Sequence, residues 1–152
     1  SMGDTVVMVT AVGIKEAVSD AERMRALVPL GNERFRVLSG DDSSALQSLL
    51  AGAHGVVSVA ANVAPRLFAS LCEAAVAGTA ERAGAIDAQL HPLYALLGVE
   101  PNPIPVKWCL SALGIGEPGL RLPLVELSPE QQPAGSAVLN GLGLIEKARR
   151  VG

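Results

Sequence analysis

The chain has 152 residues, 49% of them hydrophobic and 18% charged, enough apolar material for one sizeable core. Its net charge of −3 comes with scattered basic residues, and the one basic cluster, Lys147-Ala148-Arg149-Arg150, reads as a solvated helix end, so nucleic acid is not an expected partner. With one Trp, one Tyr and two Phe there is no platform on which bases could stack, and no apolar run reaches the roughly 18 residues of a membrane span.

Ser1-Met2 reads as the remnant of a cleaved tag and is set aside. The first strand is expected near Ala11–Glu16, followed by a helix that Asp20 caps and that carries Met24 and Leu27 to Val28. Gly31 and Asn32 turn the chain into a second strand, Phe35–Leu38. The loop Ser39-Gly40-Asp41-Asp42 then leads to a helix with Ala45, Leu46, Leu49 and Leu50 at helical spacing. Asp41 and Asp42 read as caps of that helix, because a carboxylate is stabilised by the free amides of a helix start. Gly55–Val59 is a continuous apolar run, expected as a third strand buried on both faces.

After residue 63 the pattern is helical. Ala64–Ala77 places Leu67, Phe68, Leu71 and Ala75 on one face and ends at Gly78; Thr79 is expected to cap the next helix, with Ala83, Ile86, Leu90, Leu93 and Leu97 inward. The three prolines of Glu100–Pro105 predict a rigid extended connector before a helix over Val106–Leu113. Leu122-Pro123-Leu124 reads as an ordered connection, and Ser128-Pro129-Glu130 as a capped start of the last helix. Cys72 and Cys109 lie in apolar helical patterns without a preceding signal peptide and read as reduced core thiols of a cytoplasmic protein.

Three βα units are an incomplete answer. A parallel sheet of three strands leaves two hydrogen-bonding edges unpaired, whereas eight strands closed into a barrel of about 250 residues leave none. The sequence reads as the end of a fold whose beginning is elsewhere.

Four strings then stand in order: Val12-Gly13-Ile14-Lys15-Glu16-Ala17, Leu38-Ser39-Gly40-Asp41-Asp42, Gly55–Ala64, and Glu100-Pro101-Asn102-Pro103-Ile104-Pro105-Val106-Lys107-Trp108. In order and spacing they resemble the dihydrodipicolinate synthase family, and Leu120–Leu124 extends the resemblance over nearly the whole chain from Val12. It implies an α/β fold, the last three βα units of a TIM barrel, with residues 3–63 carrying the sixth to eighth strands and residues 64–152 a C-terminal helical region. It also implies a homotetramer, and an activity that condenses pyruvate with aspartate semialdehyde on the route to diaminopimelate and lysine. Neither metal nor organic cofactor is implied, since a lysine imine is itself the electron sink.

The catalytic lysine that the resemblance implies is Lys15. An amine must be neutral to attack a ketone, and an apolar site disfavours its charged form. Lys15 ends the apolar run Val12-Gly13-Ile14, at the strand end where barrel enzymes place their chemistry. Its plain alternative is a surface lysine that snorkels or pairs with Glu16. Gly40 and Val57 are carried over as substrate-binding positions: the glycine would let backbone approach the keto acid, and the Val57 carbonyl would accept a hydrogen bond near the imine carbon. Their alternatives are an ordinary turn glycine and an ordinary core valine.

His54 and His91 have no partner at ligand spacing, so no metal role is expected. Lys107 and Trp108 read as structural, and Gly114-Ile115-Gly116 is not a phosphate loop. The family's carboxylate-binding threonines, its relay tyrosine and its lysine-feedback residues belong to a first half that this sequence does not contain, and Tyr94, mid-pattern in a helix, does not replace the tyrosine. Three readings follow: a part of a working synthase that needs the missing N-terminal half, a related keto-acid lyase such as an N-acetylneuraminate lyase or sugar-acid aldolase, or a non-catalytic half-barrel.

Overall fold

The computed structural model of the chain describes residues 11–145; the readings for Ser1-Met2 and for the basic tail at 147–150 lie outside the described residues. In order the chain forms β1 (Gly13–Glu16), α1 (Ala21–Leu27), a short 3-10 helix (Val28–Leu30), β2 (Arg36–Ser39), α2 (Ala45–Leu50) and β3 (Gly55–Val56). Helices follow: α3 (Ala60–Val63), α4 (Pro65–Val76), α5 (Ala80–Leu97), α6 (Ile104–Ala112) and α7 (Gln132–Gly141). Asp20 caps α1 as its residue type predicts, accepting from the amides of Glu22 at 2.8 Å and Arg23 at 3.3 Å.

The strands make one parallel sheet in the order β1-β2-β3, with Gly13–Glu16 opposite Arg36–Ser39, and Leu38 and Ser39 opposite Gly55 and Val56. Alternation along each strand divides the sheet into two faces. Ile14 and Val37 pack with Met24 and Ala53 beneath the helices, and Glu16 and Ser39 are buried on that side. Gly13, Lys15 and Arg36 turn the other way and are exposed. Parallel sheets are normally covered on both faces, and among the described residues this second face is open.

The third strand is shorter than its apolar run predicts. Val57 still donates to the Ser39 carbonyl at 2.8 Å, but β3 ends at Val56 and Val57 is 46% exposed, not buried on both faces. No described strand pairs with its far edge, and the chain enters α3 at Ala60, a helix that the sequence pattern does not reveal.

Helix starts correct the sequence reading in three further places. Ile104 and Pro105 are not extended; they form the first turn of α6, where a proline has no intrahelical N–H bond to lose. Thr79 does not cap α5 with its side chain: its Oγ1 donates to the Ala74 carbonyl at 2.9 Å, closing the end of α4 beside Gly78, whose φ is +74°. Ser128 does not open α7, which begins at Gln132; the Ser128 amide instead donates to Glu100 Oε1 at 3.1 Å.

One core joins α2 to the later helices, running from Ala45 and Leu49 through Phe68, Leu71, Leu90 and Leu93 to Leu139. Leu97, expected inward, is only partly covered, and Leu96 takes the buried place.

A candidate site at the carboxyl ends of the strands

Lys15, Gly40 and Val57 come from the ends of three neighbouring strands. Lys15 is the next-to-last residue of β1, opposite Leu38 and on the open face. Gly40 follows β2 and its amide donates to the Glu16 carbonyl at 2.7 Å, which fixes it beside the end of β1. A Cβ built on Gly40 would meet Cε of Lys15 at 2.4 Å and Cγ at 2.9 Å. The lysine stem therefore crosses the space that a larger residue would fill, and the turn glycine has a packing reason beyond the turn. Val57, one strand further, is held by its bond to Ser39, a residue buried to 1% that sequence patterning does not single out.

Glu16 does not pair with Lys15. It lies on the helix-covered face, where Oε1 accepts from the Val18 amide at 2.9 Å and Oε2 from Arg23 Nε. The Val18 amide first, then the Arg23 guanidinium, hold this carboxyl below its ordinary value. No ion pair to Lys15 occurs among the described residues.

The two aspartates of the following loop have different tasks. Asp41 Oδ2 accepts from Ser43 Oγ at 2.7 Å, the Ser44 amide at 2.9 Å and Ser44 Oγ at 2.7 Å. Partial burial pushes this carboxyl up, but the bonds from Ser43 and Ser44 outweigh it and leave the carboxyl below its ordinary value. Asp41 thus braces the entry to α2, as a cap reading expects. Asp42 does not cap α2 with its side chain: its Oδ2 accepts from the Ala60 amide at 2.8 Å, across 18 residues of sequence, at the start of α3.

Both histidines have structural partners. His54 Nδ1 accepts from the Val37 amide at 3.2 Å, with its ring against Gly31. His91 Nε2 lies 2.9 Å from Asp87 Oδ2, and the Tyr94 hydroxyl donates to Asp87 Oδ1 at 3.3 Å. Asp87 is a buried acid that the apolar pattern of α5 conceals, although the 87/91/94 spacing would have placed all three on one helix face. Burial, then the charge of Asp87, push the Tyr94 phenol up. Among the described residues no group of three or more His, Cys, Asp or Glu side chains could hold a metal, and no helix is long and apolar enough to cross a membrane.

A groove of about 1190 Å³ runs between α4, α5 and α7, past Pro65, Leu67, Pro92, Val138 and Leu142, and touches none of the three candidate residues. The lysine site is instead an open ledge at the sheet edge, with one wall present.

A three-stranded parallel sheet with helices on one face, and a lysine at the carboxyl end of its first strand with a glycine cleared against it, defines an α/β protein built of βα units. The match to the dihydrodipicolinate synthetase family model covers residues 5–142, and the chain belongs to that family. The 4-hydroxy-tetrahydrodipicolinate synthase of Alcanivorax borkumensis is 47% identical over 135 residues, which is 89% of this chain and 46% of that protein. The crystal structure of the Aquifex aeolicus dihydrodipicolinate synthase superposes with a TM-score of 0.83 at 44% identity, covering 88% of this chain and 45% of that one. The chloride-inhibited dihydrodipicolinate synthase of Acinetobacter baumannii, solved in complex with pyruvate, superposes with a TM-score of 0.84 at 38% identity. The chain spans about half the length of the relatives it matches.

Proposed function

We propose that this chain is the C-terminal part of a 4-hydroxy-tetrahydrodipicolinate synthase, supplying the nucleophilic lysine for condensation of pyruvate with aspartate semialdehyde. In this reading residues 3–63 carry the sixth to eighth strands of a TIM barrel and residues 64–152 its C-terminal helical region. The observation that carries it is the contact of Gly40 with the stem of Lys15 at the carboxyl end of the sheet. Relatives such as the Alcanivorax protein bear the synthase name, which favours this reaction over the related keto-acid lyases.

Lys15 Nζ attacks the pyruvate ketone and water leaves, giving an imine whose enamine form adds to the aldehyde. The Val57 carbonyl stands near the imine carbon, and Gly40 lets the backbone approach the keto acid. No metal or organic cofactor enters this chemistry. We place the protein in the cytoplasm, where Cys72 and Cys109 stay free thiols, and in a homotetramer of completed barrels. Because the family's carboxylate-binding and proton-relay residues come from the other half, the chain alone binds pyruvate poorly and does not turn it over.

The test is borohydride reduction with pyruvate, applied to the chain alone and to the chain co-expressed with the N-terminal half of a relative. A pyruvate-derived mass on Lys15 of the paired sample, absent from Lys107, is expected, together with synthase activity in that sample only. Condensing activity in the paired sample without an adduct on Lys15 would remove the assignment.

A further inference from the structure

Val57, Ser58 and Val59 join a two-residue strand to a four-residue helix that begins at Ala60; Ser58 Oγ accepts from the Ala61 amide at 2.9 Å and the Val59 carbonyl from the Asn62 amide at 3.1 Å. Val57 to Ala60 are pinned at both ends to a single neighbouring loop. The Val57 amide donates to the Ser39 carbonyl at 2.8 Å, and the Ala60 amide donates to Asp42 Oδ2 at 2.8 Å. Ser39 to Asp42 on one side and Val57 to Ala60 on the other therefore close a bracket, and Gly40, inside its first arm, touches Lys15.

The two arms differ in kind. Ser39 contributes backbone, which every residue supplies, whereas Asp42 contributes a side chain of one particular length. Its other oxygen, Oδ1, is buried and has no hydrogen-bond donor among the described residues. The Ala60 contact is thus the one hydrogen bond this carboxylate makes among the described residues, and its removal is not masked by others. The loop of Asp42 is stiffened in turn by Asp41, which holds Ser43 and Ser44.

We infer that Asp42 is a positioning residue of the reaction, fixing the Val57 carbonyl relative to the imine carbon through its bond to the Ala60 amide. The inference rests on the reading of Lys15 as nucleophile and Val57 as its neighbour in the site. What the reaction needs from Asp42 is an acceptor at that reach, not its charge. A displacement of the carbonyl by an ångström acts on turnover more than on pyruvate capture, since poor alignment at the reacting atoms is felt in the transition state.

Three variants separate reach from charge. Asp42→Ala removes the acceptor, Asp42→Asn keeps an oxygen in place without charge, and Asp42→Glu keeps the charge but moves the oxygen by a methylene. In the chain paired with a relative's N-terminal half, Asp42→Ala and Asp42→Glu are expected to lower kcat by about tenfold or more, with KM for pyruvate within about threefold, and Asp42→Asn to stay near the parent. In the 152-residue chain itself, amide exchange at Ala60 should rise by about tenfold in Asp42→Ala and return in Asp42→Asn. If the alanine variant does not fold, the Asn and Glu pair still decides the matter. Unchanged kcat in Asp42→Glu, or a loss in Asp42→Asn as large as in Asp42→Glu, overturns the inference. Failure of the unmutated pair to form an imine on Lys15 overturns the functional reading instead, and the exchange measurement then decides whether the bracket exists.

Discussion

A methyl group placed on Gly40 would sit 2.4 Å from Cε of Lys15, closer than any real contact allows. The group it meets is a side chain on an open face, free to swing away, so the clash moves the lysine more than it disturbs the fold. Gly40→Ala is expected to cost under about 1 kcal/mol of stability, within the range of substitutions that leave the core intact. Borohydride trapping of pyruvate on Lys15 in the paired protein should fall by about tenfold or more. Thermal unfolding and the trapping rate measure the two halves of this prediction, and unaltered trapping would mean that Lys15 is not set by Gly40.

The Glu16 carboxyl is held below its ordinary value of 4.5 by the Val18 amide and Arg23. A carboxyl lowered on folding stabilises the native state above its unfolded value and loses that contribution as pH falls through the folded one. Glu16→Gln should therefore be less stable than the parent at pH 7, and the gap should close below about pH 4.5. Arg23→Gln should reduce the acid dependence without abolishing it, because the bond from the Val18 amide remains. Urea unfolding from pH 7 to pH 3 checks both, and a gap that widens in acid would show the wrong sign.

Leu90 is fully buried at the centre of α5, among Phe68, Leu71 and Leu93 of the shared core. Leu90→Ala removes most of a buried side chain and leaves a cavity, at a cost of about 2–5 kcal/mol. The urea midpoint measures it. A change under about half a kcal/mol, the range of exposed surface sites, would show that the helix presents another face.

Both outer strands of the sheet, β1 and β3, have one edge without a described partner, and the face of Gly13, Lys15 and Arg36 is open. Unpaired strand edges recruit other strands. Light scattering of the chain alone is expected to show self-association, and addition of the N-terminal half of a relative should reduce it. A monodisperse monomer at high concentration would contradict this.

Some of this architecture is legible in the amino-acid sequence. Asp20, Met24 and the apolar runs around Ile14 and Val37 carry their positions in their spacing, whereas Lys15 and Gly40 are singled out as site candidates by the resemblance of their strings to a family. The errors fall where one residue type serves two local structures. Pro105 forbids a helix interior but fits a first turn, and Thr79 and Ser128 have cap chemistry yet spend it on Ala74 and Glu100. The continuous apolar run Gly55–Val59 predicts a buried Val57 only where a further strand and a covered second face lie beyond β3, and neither is present among the described residues. Cap chemistry predicts a local partner for Asp42, and nothing in its neighbours announces one 18 residues away.

The bonds that set Gly40 beside Lys15 and tie Val57 to the neighbouring strand all lie between residues 16 and 60: Gly40 to Glu16, Val57 to Ser39, and Ala60 to Asp42. None reaches into the helices beyond α3. This stretch is consequently a cassette in the sense used for recombination. Joined to a foreign first half, it brings its lysine in an unchanged local setting, and compatibility is decided at the strand edges and the open face. Chimeras of such halves should diverge first in how well those edges and that face are covered, since these are the surfaces assembled from both parents.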